Sequence, residues 1–472
     1  MYQGLLVIDA DAHKLENPLL LRDYLDADFR DRIGFVHDRQ GHERVRILDT
    51  HPITGRPDFA RLYPQPDGLG MGGFNNLHPE TTLGAIFNSR RIEDMDREGI
   101  DLQVIFGTFN LTFGSIIDRD LAMALCRAYN NYIADDCAPW KSRLFPVGVL
   151  PLQDVTAAVE ELRHCVENLG MVAVSLPPHL PVPHPEALDR FPEIRTAKPI
   201  SHPDFDPIFK VATELDVTIA LHGAPGSYLV GGLADHLETF VLSHIFVQRS
   251  QQQLALVRAI FDGLFDRFPT LRLGFMEGGC GWLPDLAHAC HEHWEKRIQE
   301  FDPNHPYRPS VVEFAQLAFQ ERHHHPQRSL LKQISALFDL LWQRDGAAQS
   351  DAPDRPHRSL VIAPSSRAEV EHAHLRDRDP LSYLGRGQIF VSFEADDPAP
   401  AYLPIALGSV GQKLACFSGD YGHWDGVLTG CVAQAARTAG GDRDYLLQLL
   451  SGNALALYGN RLRQRITYES AA

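Results

Sequence analysis

The sequence predicts an α/β protein built as a (β/α)8 barrel of the TIM type, with long insertions after strands 1 and 6. Eight short apolar runs recur along the chain, and most are separated by segments in which apolar residues have helical spacing. Apolar strands that alternate with helices are typical of a parallel sheet buried on both faces. No Gly-x-Gly-x-x-Gly motif follows the first run, which argues against an open dinucleotide-binding sheet.

The predicted strands are spread along most of the chain. They are LLVIDAD (5–11), LQVIFGT (102–108), LFPVGVLP (144–151), MVAVSLP (171–177), VTIALHG (217–223), LRLGFMEGG (271–279), QIFVSFE (388–394) and LACFSGD (414–420). Between them, a predicted helix begins with Asp154 as its N-cap and ends at Gly170. Residues 206–216 and 251–269 have the three- and four-residue apolar spacing of two further helices.

Composition limits the partners that the chain is expected to have. Its 472 residues include 61 acidic and 44 basic ones, and a net charge of −17 argues against binding to nucleic acid or to an anionic membrane. No secretory signal is visible, and no run approaches the roughly 18 apolar residues of a spanning helix. The seven cysteines form no Cys-x-x-Cys pair and fit reduced thiols. We expect a cytoplasmic protein that acts on a small molecule.

The length suits one large barrel with insertions, so we expect a single domain over residues 1–472. Two stretches exceed a minimal barrel. Residues 30–85 are rich in Gly, Pro and Asn, and residues 305–381 form the expected insertion. Loops this long are usually functional. We expect them to cover the carboxyl end of the barrel or to form a subunit contact, in a homo-oligomer or in a pair with a related subunit.

The first strand carries an unusual concentration of ionisable groups. In VIDADAHKLE, Asp9, Asp11 and His13 occupy alternate positions, which places them on one face of a strand. Unpaired and buried, such groups would each cost several kcal/mol in desolvation. The segment is therefore either a strand that emerges into solvent or one edge of a metal site.

Other predicted strands also end in ionisable residues. In a (β/α)8 barrel the active site lies at the carboxyl ends of the strands, and strand 8 closes against strand 1. His222 ends strand 5, Glu277 ends strand 6 and Asp420 ends strand 8. With Asp11 and His13 they should meet at one pocket, and the two histidines and two aspartates among them favour a divalent metal site.

Six segments, in this order, resemble the amidohydrolase-related branch of the amidohydrolase superfamily. They are VIDADAHKLE (7–16), DREGID (96–101), LHGAPGS (221–227), MEGGCGWLP (276–284), SGDYGHWDG (418–426) and GNALALYG (452–459). That branch includes aminocarboxymuconate-semialdehyde and resorcylate decarboxylases, some hydrolases and a few metal-dependent oxygenases. The resemblance covers roughly residues 1–300 and 382–460.

The resemblance implies that Asp11, His13, His222 and Asp420 are ligands of a divalent cation, which is zinc, manganese or iron. Asp420 is also expected to relay a proton. Asp9 is either a group that orients its neighbours or a plain carboxylate at the end of a strand.

Several further residues extend the expected site. Glu16, His423 and Glu277 could hold a second cation, or could serve as hydrogen-bonding groups around the first. His244 matches a histidine that the family often has before the helix leading to strand 6, so it is either an acid/base or structural.

One position departs from the decarboxylases of this family, which commonly carry a catalytic histidine where this chain has Glu277. A carboxylate does not donate a proton at neutral pH unless its pKa is raised. The sequence therefore favours hydrolysis of an amide, ester or thioester by metal-activated water. The alternatives are a dinuclear manganese or iron oxygenase, a non-oxidative decarboxylase of a small unsaturated or aromatic acid, and a non-enzymatic scaffold subunit, against which the ligand set argues.

Overall fold

The computed structural model describes residues 1–16, 18–37, 41, 43–62, 79–183, 195–223, 240–296, 372–423, 426 and 429–469. The chain divides into two compact units, of which one comprises residues 1–288 and 381–472 and the other residues 289–380. Most of the expected insertion, residues 305–371, lies outside the described residues, so its expected position over the barrel stays a prediction.

The described strands and helices alternate along most of the chain. The strands are β1 (Ile8–Lys14), β2 (Ile33–His37), β3 (Glu43–Asp49), β4 (Phe59–Leu62), β5 (Leu102–Gly107), β6 (Leu144–Pro146), β7 (Gly148–Val149), β8 (Ala173–Leu176), β9 (His179–Pro183), β10 (Arg195–Pro199), β11 (Thr218–His222), β12 (Leu273–Met276), β13 (Ile389–Glu394) and β14 (Ala415–Ser418). The α-helices are α1 (Pro18–Tyr24), α2 (Pro79–Ile86), α3 (Asn88–Glu98), α4 (Arg119–Cys137), α5 (Val155–Arg163), α6 (Asp206–Glu214), α7 (Phe240–Phe261), α8 (Leu264–Arg267), α9 (Leu283–Trp294), α10 (Leu403–Leu407), α11 (Cys431–Ala436), α12 (Arg443–Leu447) and α13 (Asn453–Glu469).

The parallel strands form the predicted barrel. β1, β5 and β6 make one parallel sheet, and β7, β8, β11, β12, β13 and β14 make another. β6 and β7 are two parts of one strand interrupted at Val147, whose amide donates to Ile105 of β5 at 2.9 Å. β14 lies beside β1, where Ser418 Oγ donates to the Asp11 carbonyl at 2.8 Å. The sequence therefore predicted the fold class correctly.

The predicted helices form, with shifted ends. Asp154 caps α5 by accepting from the amide of Ala157 at 2.9 Å, as expected. α7 begins at Phe240, eleven residues before the predicted start at 251, so residues 240–250 belong to the same helix. It ends at Phe261, and a separate short helix follows Gly263, whose φ of 71° is unfavourable for residues with a Cβ.

Part of the segment expected to be a loop forms a sheet. Within residues 30–85, β2, β3 and β4 pair in antiparallel order, since their alternating apolar residues suit strands. Asp49, at the end of β3, accepts from the amides of Ile117 and Asp118 at 2.8 and 2.9 Å. These bonds fasten the small sheet to the segment that follows β5.

The C-terminal helix packs against the barrel core. Leu457 and Tyr458 of α13 belong to one buried apolar cluster with residues of β1, β5 and β13. Tyr458 donates to the Ala10 carbonyl at 2.6 Å, and Thr218 donates to the Leu457 carbonyl at 2.5 Å. The GNALALYG motif is thus part of the barrel's packing. Among the helices that the structure describes, none is long and apolar enough to span a membrane.

We predict that Tyr458→Phe lowers the free energy of unfolding by about 1–3 kcal/mol, because the buried Ala10 carbonyl loses its donor. Tyr402→Phe is the matched control, since Tyr402 is 60 % exposed. Thermal or denaturant unfolding followed by circular dichroism measures both variants. Equal midpoints for the two variants would contradict this role of Tyr458.

Candidate metal centre

Three ligand atoms meet at the carboxyl ends of β1 and β11. Asp11 and His13 come from β1, and His222 is the last residue of β11. His13 Nε2 lies 3.6 Å from Asp11 Oδ1 and 3.2 Å from His222 Nε2, and His222 Nε2 lies 3.8 Å from Asp11 Oδ1. All three side chains are buried. The structure brings together residues that are more than 200 positions apart, as the barrel requires.

Asp420 places a second carboxylate beside this cluster, next to His13. It follows β14, and its Oδ1 lies 3.8 Å from His13 Nε2 and 2.9 Å from His423 Nδ1. Its φ of 43° and the φ of 53° at Glu277 are left-handed values that cost conformational energy in residues other than glycine. Strain of this kind is concentrated at functional sites.

The donor set fits a divalent cation. Asp11 Oδ2 accepts from Ser392 Oγ at 3.2 Å and from the Glu277 amide at 3.1 Å, whereas the buried Oδ1 accepts no hydrogen bond from any described residue. Two ligand atoms that are each about 2.1 Å from one cation lie roughly 3.0–3.4 Å apart. The observed separations of 3.2–3.8 Å are close to that range.

The imidazole of His222 is oriented by its backbone contact. Its Nδ1 lies 2.7 Å from the Gly223 carbonyl, and donation to that oxygen leaves Nε2 directed at Asp11 and His13. This is the arrangement in which a histidine presents one nitrogen to a metal while the other is held by a hydrogen bond.

Burial and charge set the protonation of the cluster. Burial raises the pKa of Asp11 to about 6 and lowers the pKa of His13 to about 3. Burial also acts to lower the pKa of His222, but the Glu277 and Asp11 carboxylates outweigh it and raise that pKa to about 9. Burial acts to raise the pKa of Glu277, but the His423 and His222 imidazoles bring it well below its usual value.

Glu277 lies among three imidazoles of the described chain. Its Oε2 is 3.0 Å from His222 Nε2, and its Oε1 is 3.6 Å from both His244 Nε2 and His423 Nδ1. The His423 ring stacks on the His13 ring with 3.7 Å between centroids. His13, Glu277 and His423 thus form a second group whose ligand atoms all lie within 4.8 Å of one another.

Two of the candidate residues have other positions than expected. Glu16 accepts from the amides of Thr108, Phe109 and Asn110 at 2.9, 2.8 and 3.2 Å, which matches its alternative role as a hydrogen-bonding group, and binding of a second cation by Glu16 stays a prediction. His244 lies within α7, not before it, and its contact is with Glu277.

Asp9 is also separate from the ligand atoms. The pairing of β1 with β5 shifts register between Asp9 and Ala12, so the strict alternation expected of β1 does not hold. The Asp9 carboxylate accepts from Gln103 Nε2 at 3.0 Å, from the Gly419 amide at 2.9 Å and from the Asp11 amide at 3.3 Å. It therefore connects the backbone that precedes Asp420 with the backbone of Asp11.

Sequence reasoning missed two groups that support the site. Ser392 of β13 donates to Asp11 and accepts from the Glu277 amide at 2.8 Å. Gln252 of α7 donates to the Leu221 and Met276 carbonyls at 2.9 and 2.8 Å, which fixes the backbone just before His222 and Glu277. The run of three glutamines at 251–253 was the available signal.

Comparisons with known proteins point to one family. The family model described as Amidohydrolase matches residues 92–325. The chain is 26 % identical over 189 residues to a 2-amino-3-carboxymuconate-6-semialdehyde decarboxylase of Dictyostelium discoideum, and the match covers 40 % of this chain and 47 % of that protein. It is 26 % identical over 196 residues to a gamma-resorcylate decarboxylase of Rhizobium sp. (strain MTP-10005), over 41 % of this chain and 56 % of the other. The chain thus spans about half the length of these curated relatives.

A solved structure extends the similarity over nearly the whole chain. The crystal structure of a dihydroxybenzoic acid decarboxylase from Polaromonas sp. JS666, with bound manganese and the inhibitor 2-nitroresorcinol, aligns with a TM-score of 0.53 and 15 % identity over 96 % of both chains. At that identity the alignment shows a shared fold. With the six motifs, the family match and the two relatives confirm the predicted resemblance of the chain to the amidohydrolase superfamily.

Proposed function

We propose that this chain is a metal-dependent enzyme in which Asp11, His13, His222 and Asp420 hold one divalent cation. The buried Asp11 Oδ1, which accepts no hydrogen bond among the described residues and faces two imidazole nitrogens, supports this most directly. The manganese of the similar Polaromonas structure supports a divalent metal, and zinc or iron would also suit these ligands. Such a cation supplies charge that polarises a substrate oxygen and lowers the pKa of bound water.

For the reaction we propose non-oxidative decarboxylation of a small unsaturated or aromatic acid, in place of the hydrolysis that the sequence favoured. Both curated relatives named above are decarboxylases. The sequence argued against decarboxylation because Glu277 stands where the related decarboxylases have a proton-donating imidazole. His423 can supply that imidazole from a neighbouring position. Its Nδ1 is 2.9 Å from Asp420 Oδ1 and 3.6 Å from Glu277 Oε1, next to the ligand cluster.

In this reaction the bond between the carboxylate carbon and its neighbouring carbon breaks. The electron pair stays on the neighbouring carbon, CO2 leaves, and that carbon takes up a proton. We assign the proton to His423, because Asp420 and Glu277 orient its imidazole and its ring lies against His13. Glu277 itself is an anion and serves to position imidazoles.

A second candidate is hydrolysis or oxygenation at two cations. The observation that favours it is the second group, His13, Glu277 and His423, whose ligand atoms are also mutually close. In that case His423 is a metal ligand and no longer a proton donor, so the two candidates differ in the number of ions that each chain binds.

We predict that His222→Ala weakens binding of Mn2+ or Zn2+ by more than the roughly 10–100-fold that loss of an outer supporting group costs. Metal titration of chelator-treated protein, with elemental analysis, measures this and gives the number of ions per chain. His202→Ala is the control, because that histidine is half exposed and contacts Asp204. Unchanged metal content in His222→Ala would contradict the proposed ligand set.

We predict that His423→Asn keeps the cation but slows CO2 release by about 10²–10⁴-fold, the contribution typical of a general acid. CO2 release from 2,6-dihydroxybenzoate and related hydroxybenzoates by the manganese-loaded protein is the measurement, with His202→Asn as the control. Two ions per chain, the loss of one of them in His423→Asn, and cleavage of esters or thioesters without CO2 release would instead support the second candidate.

A further inference from the structure

A cavity of about 380 Å³ lies beside Glu277, between α7 and the carboxyl ends of β12 and β13. This volume is within the range of small-molecule sites. Its charged and amide groups are Gln248, Arg249, Glu277, Glu394, Asp396 and Asp397. Glu277 also contacts His222 at 3.0 Å, so the cavity adjoins the proposed metal centre directly.

Gln248 is a polar group in this cavity that the described residues do not satisfy. Its side chain is only 3 % exposed, yet neither its amide nitrogen nor its amide oxygen has a hydrogen-bond partner among the described residues. Leaving both atoms of a buried amide unbonded costs more than one ordinary hydrogen bond contributes. A ligand in the cavity that both accepts and donates a hydrogen bond would remove that cost.

The residues that line the cavity carry mostly negative charge. Four carboxylates line the cavity, whereas the cations among its lining residues are the guanidinium of Arg249 and any protonated form of His244. The Asp397 carboxylate accepts from the amides of Ala399 and Cys280 at 2.8 and 3.2 Å. Asp396 is exposed at the rim. Such a lining attracts a cationic group and repels a second carboxylate.

We propose that this cavity is the substrate site, and that the substrate is a small carboxylic acid with a protonated amine at the end remote from its reacting carboxylate. The amine lies against Glu394, Asp396 and Asp397, and the Gln248 amide hydrogen-bonds a polar group between the two ends. This inference rests on the proposed function for the reacting end alone. The preference for a cation comes from the carboxylates of the lining, and the Gln248 amide contributes a hydrogen-bonding site that does not depend on the charge of the ligand.

The test uses three matched probes: 4-(aminomethyl)-2-hydroxybenzoate, 4-methyl-2-hydroxybenzoate and 2-hydroxyterephthalate. Calorimetric binding to the manganese-loaded and the metal-free protein is the readout, because it does not depend on turnover. We expect the aminomethyl probe to bind at least tenfold more tightly than the methyl probe, and the dicarboxylate to bind most weakly. The preference for the amine should shrink as salt is raised from 50 to 500 mM, since screening weakens ionic contacts (Debye length about 10 Å at 0.1 M).

Two variants separate the charged contacts from the amide contact. Asp396→Asn should reduce the preference for the aminomethyl probe about threefold, and Gln248→Leu should weaken both the aminomethyl and the methyl probes about tenfold. Asp120→Asn is the control, because Asp120 is an exposed residue of α4 that forms an ion pair with its neighbour Arg119. Unchanged thermal midpoints establish that each variant is folded.

The outcomes distinguish this inference from the proposed reaction. A preference for the amine without CO2 release would support the substrate site and overturn decarboxylation. CO2 release with equal binding of the amine and methyl probes would overturn the substrate site alone. Tightest binding of the dicarboxylate would overturn it as well, since Arg249 would then define an anion site. Absence of binding by all three probes would count against the proposal too.

Discussion

The burial of charge at the carboxyl end of the barrel is the constraint on which the site depends. Asp11, His13, His222 and Asp420 are each at most 2 % exposed. A carboxylate removed from water costs several kcal/mol unless opposite charge or hydrogen bonds compensate it. In this structure the ion pair between His222 and Glu277 compensates one carboxylate, whereas Asp11 Oδ1 accepts no hydrogen bond from the described residues and lies 3.6 and 3.8 Å from the His13 and His222 nitrogens. A divalent cation at the proposed site would compensate the Asp11 oxygen for which the described residues provide no hydrogen bond, so the stability of this region and metal binding should be coupled.

The backbone around the site is held in unfavourable conformations by the same hydroxyl groups that contact Asp11. Glu277 and Asp420 have left-handed φ values that glycine would adopt at lower cost. Ser392 accepts from the Glu277 amide at 2.8 Å and Ser418 accepts from the Asp420 amide at 3.1 Å. Each serine also donates to Asp11, through the carboxylate or the carbonyl. Ser392 and Ser418 therefore fix Asp11, Glu277 and Asp420 relative to each other.

Local sequence patterns predicted most of the fold and only part of the site. The apolar runs and their polar ends predicted the barrel and brought Asp11, His222 and Asp420 to one place, because strand ends in a barrel converge whatever the sequence between them. The hydrogen-bond partners of Glu16 were not predictable in this way. They are amides of Thr108 and its neighbours, which reach Glu16 only through the pairing of β5 with β1.

The bulge in β1 is a second property that no local pattern specified. It depends on which residues of β5 oppose Asp9 and Ala12, and alternation alone predicts a regular strand there. The amides of Gln248 and Gln252 were hidden for a related reason. Glutamine suits the exposed side of a helix, and the burial of these side chains follows from the packing of α7 on the strand ends.

Glu277 connects the proposed metal centre, the second candidate and the substrate cavity through charge. If the imidazoles are neutral, Asp11, Asp420 and Glu277 bring three negative charges to one divalent cation, so one negative charge remains. An imidazole in place of Glu277, as in the decarboxylases that the chain resembles, would leave none. The remaining charge can be met by protonated imidazoles, by a second cation or by a cationic part of the substrate. Glu277 is surrounded by the imidazoles of His222, His244 and His423, which can compensate its charge when they are protonated. The acidic cavity beside Glu277 adds further negative charge, which a cationic part of the ligand can compensate.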